Sequence, residues 1–179
     1  MLTKVITSAV VIIPPEEKWA SIQEIRRLYD HNIERWMPHI TLLYPFRPRS
    51  EYSNLEEVFS ETCKNFEPFE VSLEKFRYFN HGGQNFTLWL NPESGDSIKK
   101  IQTDILKIVP DCDDVNKFKS GFTPHLSVGQ TKGKSKVLKV IFQLEQNWEK
   151  INFSVDRIYF ISREKPKTSK FKIFKEIPF

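Results

Sequence analysis

Glycine is scarce, six in 179 residues, and nowhere clustered. This excludes a P-loop or a dinucleotide-binding fingerprint, both of which need spaced glycines where backbone amides close on phosphate. There are two cysteines, Cys63 and Cys112, far apart and in no CxxC or Cys/His spacing. A disulfide scaffold and a zinc ribbon are both excluded, and a reducing compartment is the natural setting. The longest apolar run, Ala9 to Ile13, falls far short of the ~20 residues a membrane-spanning helix needs. Val5 to Ile13 resembles the apolar part of a signal peptide, but Lys4 is its only basic residue. The stretch also ends in Pro14-Pro15-Glu16-Glu17 rather than at small residues, so it reads as a buried strand. A soluble protein of the cytoplasm is expected, with the nucleus also open.

What is present is a well-supplied core: 39% hydrophobic and 13% aromatic residues, among them fifteen Phe. The length suits one compact domain or two small lobes. Net charge is +4, unevenly spread. Residues 1–90 carry ten Lys/Arg against twelve Asp/Glu, and residues 91–179 carry seventeen against eleven. Two basic clusters supply the difference: Lys132, Lys134, Lys136 and Lys139, then Arg163, Lys165, Lys167, Lys170, Lys172 and Lys175. Such a surface draws a polyanion; a solvated lysine face or a guarded edge strand is the plainer explanation of either cluster.

The hydrophobic pattern predicts strands over 4–13, 39–44, 71–79, 85–90, 124–128, 151–162 and 170–177. Helices are predicted over 16–33, 54–66 (capped by Ser53 or Asn54), 96–109 and 135–148. The order is duplicated: strand, helix, histidine strand, helix, strand. The residues follow suit. Pro38-His39-Ile40-Thr41-Leu42 matches Pro124-His125-Leu126-Ser127-Val128, and Val71–Phe76 matches Phe153–Ile158 class for class. The expected fold is α+β, bilobed and duplicated, with two mostly antiparallel sheets facing a central cleft and helices outside. The repeats are approximately 1–83 and 84–179 of a single domain.

On a strand, residues two apart share a face, ~6.6 Å from one another at ~3.3 Å per residue. His39 and Thr41 therefore share one face, with Ile40 and Leu42 behind them. His125 and Ser127 repeat this in front of Leu126 and Val128. Core packing explains the apolar positions but gives no reason for a histidine and a hydroxyl to recur on the opposite face. If the lobes pack about a pseudo-twofold axis, the four side chains meet in one cleft. That set suits phosphoryl transfer without a metal. One neutral imidazole takes a proton, a protonated one donates to the leaving oxygen, and the hydroxyls bind the non-bridging oxygens.

These two motifs, with Trp36-Met37-Pro38 and Phe122-Thr123-Pro124 before them, resemble the two-histidine (2H) phosphoesterase superfamily, which includes the bacterial 2′-5′ RNA ligase-like proteins. The resemblance covers nearly the whole chain. It implies metal-independent phosphodiesterase action on RNA or nucleotides that carry a 2′,3′-cyclic phosphate or a 2′-5′ linkage; a monomer without a cofactor is expected. By it, His39 and His125 are catalytic, and Thr41 and Ser127 bind phosphate. Many ligase-like members carry Arg five positions after the second histidine, where this chain has Gln130. Strict alternation turns Gln130 away from His125, unless Gly129 supplies a bulge that re-aims it. Tyr44 is the equivalent of Gln130 in the first motif, and both are candidate substrate contacts.

Other features take plainer readings. His31 at a helix end and His81 in a turn lack repeat partners and read as structural or surface residues. Phe76, Tyr78, Phe79 and Trp89 read as sheet core rather than as a base-stacking floor. Asp111, Asp113 and Asp114 lack the glycine and closing Glu of a calcium loop and read as a solvated loop. Hydrolysis of 2′,3′-cyclic phosphate ends is the first functional expectation, with a 2′-phosphate as the product the resemblance favours. Cleavage or ligation of 2′-5′ linkages, or cleavage of a small cyclic nucleotide, uses the same chemistry. A non-catalytic RNA-binding module has no need of two proton-transfer groups, and a two-histidine metal site lacks a carboxylate to complete it.

Overall fold

The apolar spacing after Pro15 folds as a 3₁₀ turn, Glu16–Lys18, leading into helix α1, Trp19–Tyr29, which buries Ile22 and Ile25. The computed structural model describes residues 3–118, 120–164, 166 and 168–179; Lys165 and Lys167 of the second basic cluster lie outside the described residues. The other helices are α2 (Tyr52–Cys63), α3 (Gly95–Leu106) and α4 (Lys134–Glu145). No side chain caps α2, which starts two residues before the predicted Asn54. The strands are β1 (Ser8–Ile12), β2 (Ile40–Leu43), β3 (Phe69–Asn80), β4 (Asn85–Pro92), β5 (Leu126–Lys132), β6 (Ile151–Val155), β7 (Arg157–Ser162) and β8 (Lys172–Pro178). The fold is mixed α/β.

The expectation of two sheets is corrected. The eight strands of the described residues hydrogen-bond into one antiparallel sheet, ordered β6-β3-β4-β5-β2-β1-β7-β8. The histidine strands β2 and β5 sit at its middle, registered through one pair, Ile40 with Leu126. The strand predicted over 151–162 is two strands broken at Asp156. β6 pairs with β3 at one edge, while β7 pairs with β1 near the other. A single residue spans that distance only because the sheet curls until its ends approach. The closure is sealed where the Phe179 amide donates to the Asp156 carbonyl at 2.8 Å.

All four helices contribute to one large core on one face of the sheet, through Ile22 and Ile25, Phe59 and Cys63, Ile98, Ile101 and Ile105, and Val140. Ile40, Leu42, Leu126 and Val128 are fully buried in it, as alternation predicts. The opposite face carries a smaller cluster of Ala9, Val11, Ile13, Ile161 and Phe171, with Trp36 and Tyr44 packed against it. β1 is thus buried on both sides, which accounts for its unbroken apolar run.

A β-bulge recurs at the same place in both histidine strands. Val10 and Val11 pair with Leu43 and Thr41, leaving Leu42 as the extra residue. Leu88 and Trp89 pair with Gly129 and Ser127, leaving Val128 extra. Each bulge lies three residues after its histidine and reverses the alternation beyond it. Gln130 therefore pairs with Thr87, on the same face as Ser127, and Tyr44 joins the cluster beside Val11.

Candidate active site

The Ile40–Leu126 pair fixes the relation of the two motifs. Antiparallel register carried one residue each way sets His39 opposite Ser127 and Thr41 opposite His125, on the face away from the main core. Each histidine thus neighbours the hydroxyl of the other motif. Both rings are held alike: Nδ1 of His39 lies 2.7 Å from the Met37 carbonyl, and Nδ1 of His125 lies 2.7 Å from the Thr123 carbonyl. A carbonyl only accepts, so Nδ1 carries the proton in both rings and Nε2 is left as the basic nitrogen.

Both imidazoles are held neutral. Burial pulls His39 down to about 4; the Met37 carbonyl opposes this, while the charges of Arg26 and His125 add to it. His125 is also lowered, again chiefly by burial, with His81 adding to the effect and the Thr123 carbonyl opposing it. A bound phosphate anion would act against this lowering, because a negative neighbour favours the charged imidazolium.

The surroundings of the two rings differ. His39 stacks on Trp36 at 4.7 Å, and Trp36 stacks in turn on Phe171 at 3.8 Å. Behind them the buried Arg26 pairs with Asp30 at 2.8 Å and donates to the Trp36 carbonyl at 2.9 Å. His125 instead meets Phe79 and Trp89 edge-on, at 4.9 and 5.8 Å. Beside it opens a cavity of about 300 Å³, lined by Thr41, His125 and Ser127 together with Phe79, His81 and Phe118 among others.

Residues 14–167 match the model of the 2′-5′ RNA ligase superfamily. The chain belongs to that superfamily. Among solved structures, TT0787 of Thermus thermophilus superposes with a TM-score of 0.62 at 16% identity, covering 96% of each chain. Escherichia coli LigT in its apo form gives 0.62 at 10% identity over 97% of each chain, and its complex with 3′-AMP gives 0.56 at 11% over 97%. At these identities the likeness establishes the fold. No curated protein matches the chain.

Within this superfamily member, Gln130 reaches the motif face but its amide is already engaged. Its Oε1 accepts from the His31 amide at 3.1 Å, and its Nε2 donates to Asp30 at 3.2 Å. It ties the end of α1 to β5. The Tyr44 hydroxyl donates to the Ile6 carbonyl at 3.1 Å, and its ring packs edge-on against Trp36 at 5.5 Å. His31 is exposed, as expected. Asp111 and Asp114 are not merely solvated: Asp111 pairs with the buried Arg47, and Asp114 with Lys4 and Lys117.

Two readings change. Phe76 is core, against Trp148, but Phe79 lines the cavity. His81 lines it too, with Nε2 2.8 Å from the Thr87 hydroxyl. The β3–β4 hairpin brings it there, pairing Phe79 with Thr87. Among the described residues no group of three or more His, Cys, Asp or Glu side chains is arranged to hold a metal ion, and no helix is long and apolar enough to cross a membrane.

Proposed function

We propose that this chain is a metal-independent phosphodiesterase that hydrolyses 2′,3′-cyclic phosphate RNA ends to 2′-phosphates, with the roles of general base and general acid divided between His39 and His125. Water attacks phosphorus in line and loses a proton to one Nε2. The other imidazole, protonated once the anion is bound, gives its proton to the departing 3′ oxygen. A P–O bond forms to water, the P–O3′ bond breaks, and the 2′-phosphate remains. Thr41 and Ser127 donate to the non-bridging oxygens. The observation that carries this reading is the matched tethering of both Nδ1 atoms, which leaves two basic Nε2 atoms on one face, each beside a hydroxyl.

The domain is read as a monomer built from the duplicated stretches 1–83 and 84–179. Lys132, Lys134, Lys136 and Lys139 follow closely on Gln130, all four exposed, and offer the RNA backbone a positive approach. The superfamily's description favours one second reading, cleavage or sealing of 2′-5′ linkages by the same groups. An oligonucleotide ending in a 2′,3′-cyclic phosphate, incubated with the protein in excess EDTA, tests the proposal. A 2′-phosphate end is expected. Turnover abolished by chelation overturns the mechanism, and a 3′-phosphate end overturns the regiochemistry.

A further inference from the structure

The two sides of the site are matched in backbone and opposite in filling. Val11 pairs with Tyr159 and Ala9 with Ile161; in the other half of the sheet Trp89 pairs with Arg77 and Thr87 with Phe79. Two residues further along, the Arg163 amide donates to the Thr7 carbonyl and the His81 amide to the Asn85 carbonyl, each at 2.9 Å. Arg163 and His81 therefore hold equivalent places beside His39 and His125. Arg163 is buried, with its guanidinium 5.5 Å from the Phe171 ring. Phe171 and Trp36 then fill the space up to His39. His81 is exposed, and the corresponding space beside His125 is open.

We propose that the cavity beside His125 is a nucleobase subsite, walled by Phe79, Phe118 and Phe122, with His81 reading the edge of the base. This rests on the phosphodiesterase reading, and it adds a direction: the nucleoside lies on the His125 side, because aromatic rings occupy the other. The volume of about 300 Å³ is at the lower end of the ~300–1,000 Å³ range of small-molecule pockets. It is of a size to take one nucleoside beside the phosphate. Phe118 is 67% exposed at the rim of the cavity, where a flat π-face would cover it. His81 commits Nε2 to Thr87, so Nδ1 is the atom left to meet the ligand. Aromatic walls, a few polar side chains at the edge (Asn80, His81 and Ser120) and the His125 imidazole at the inner end together describe a base joined to a phosphate through a sugar.

The test compares kcat/KM for adenosine 2′,3′-cyclic phosphate with that for 1-O-methylribose 2′,3′-cyclic phosphate, which lacks the base. The wild type is expected to prefer the nucleoside, and Phe118→Ala to lower that preference about tenfold. His81→Ala is expected to change the ranking among the four nucleoside cyclic phosphates. Equal turnover of both substrates by the wild type, or a preference unchanged in Phe118→Ala, overturns the subsite. Calorimetric titration with 3′-AMP, which needs no turnover, separates this from the parent reading. Weakening of about tenfold in Phe118→Ala supports the subsite even if neither cyclic substrate is hydrolysed, in which case the hydrolytic reading alone fails. Equal affinity of the two proteins overturns the subsite.

Discussion

Gly129 and Tyr29 meet backbone to backbone: a Cβ placed on Gly129 would overlap the Tyr29 Cβ and stand 2.9 Å from its carbonyl carbon and oxygen. The glycine lets the end of α1 lie directly on the bulge that aims Gln130. Gly129→Ala must push α1 off β5 and is expected to cost about 1–3 kcal/mol, read as a lower thermal midpoint. Gly95→Ala meets nothing within 4 Å and begins a helix, so it is expected to be neutral or stabilising by up to ~1 kcal/mol. Equal effects of the two substitutions would contradict the contact.

Removing either imidazole removes one proton transfer. His39→Ala and His125→Ala are each expected to lower kcat by about 10²–10⁴, with both proteins still melting cooperatively. The double variant is expected to fall well short of the product of the two losses, since the pair acts as a unit. Single-turnover kinetics on a cyclic phosphate substrate measures all three.

The depressed histidines also predict how stability depends on pH. In the unfolded chain His39 titrates near ~6.5; in the fold it titrates at about 4. Between those values the unfolded state binds more protons, so stability is complete above the unfolded value and is lost as pH falls toward 4. His125 acts in the same direction. Thermal midpoints are therefore expected to fall from about pH 6.5 to about 4, and less steeply in His39→Gln. Parallel curves for the two proteins would count against a neutral, half-buried His39.

Trp36 touches His39 on one side and Phe171 on the other. Trp36→Ala is expected to let the imidazole swing, lowering kcat by roughly ten- to a hundredfold with little change in KM. Trp36→Phe, which keeps a stacking face, is expected to recover most of the loss. A change in KM alone would assign Trp36 to binding instead.

The histidine strands were legible because period two separates His39 and Thr41 from Ile40 and Leu42, and both of those apolar side chains are buried. Gly129 flagged the bulge in β5, but its twin at Leu42 has no glycine and left no mark in the sequence. The break at Asp156 did leave one: buried positions run Ile151, Phe153, Val155 and then Ile158, Phe160, a slip from odd to even inside one apolar stretch. The sheet order was not legible, since pairing between distant strands is decided by the closed core rather than by local pattern. His81 was missed for the same reason. Its nearness to His125 depends on β3 pairing with β4 and β4 with β5, which no nearby residue announces.

The strand order also has a bearing on how the molecule is made. The strands on one side of the Ile40–Leu126 junction are β2 and β1 from early in the chain and β7 and β8 from late in it; on the other side, β3 comes from the first stretch and its neighbours from the second. Neither stretch can finish a layer without borrowing from the other. A ribosome that has delivered the first histidine has still to deliver Leu126, against which its strand is registered, and Phe171, which backs the ring stacked on it, so that side of the site is completed from residues made much later.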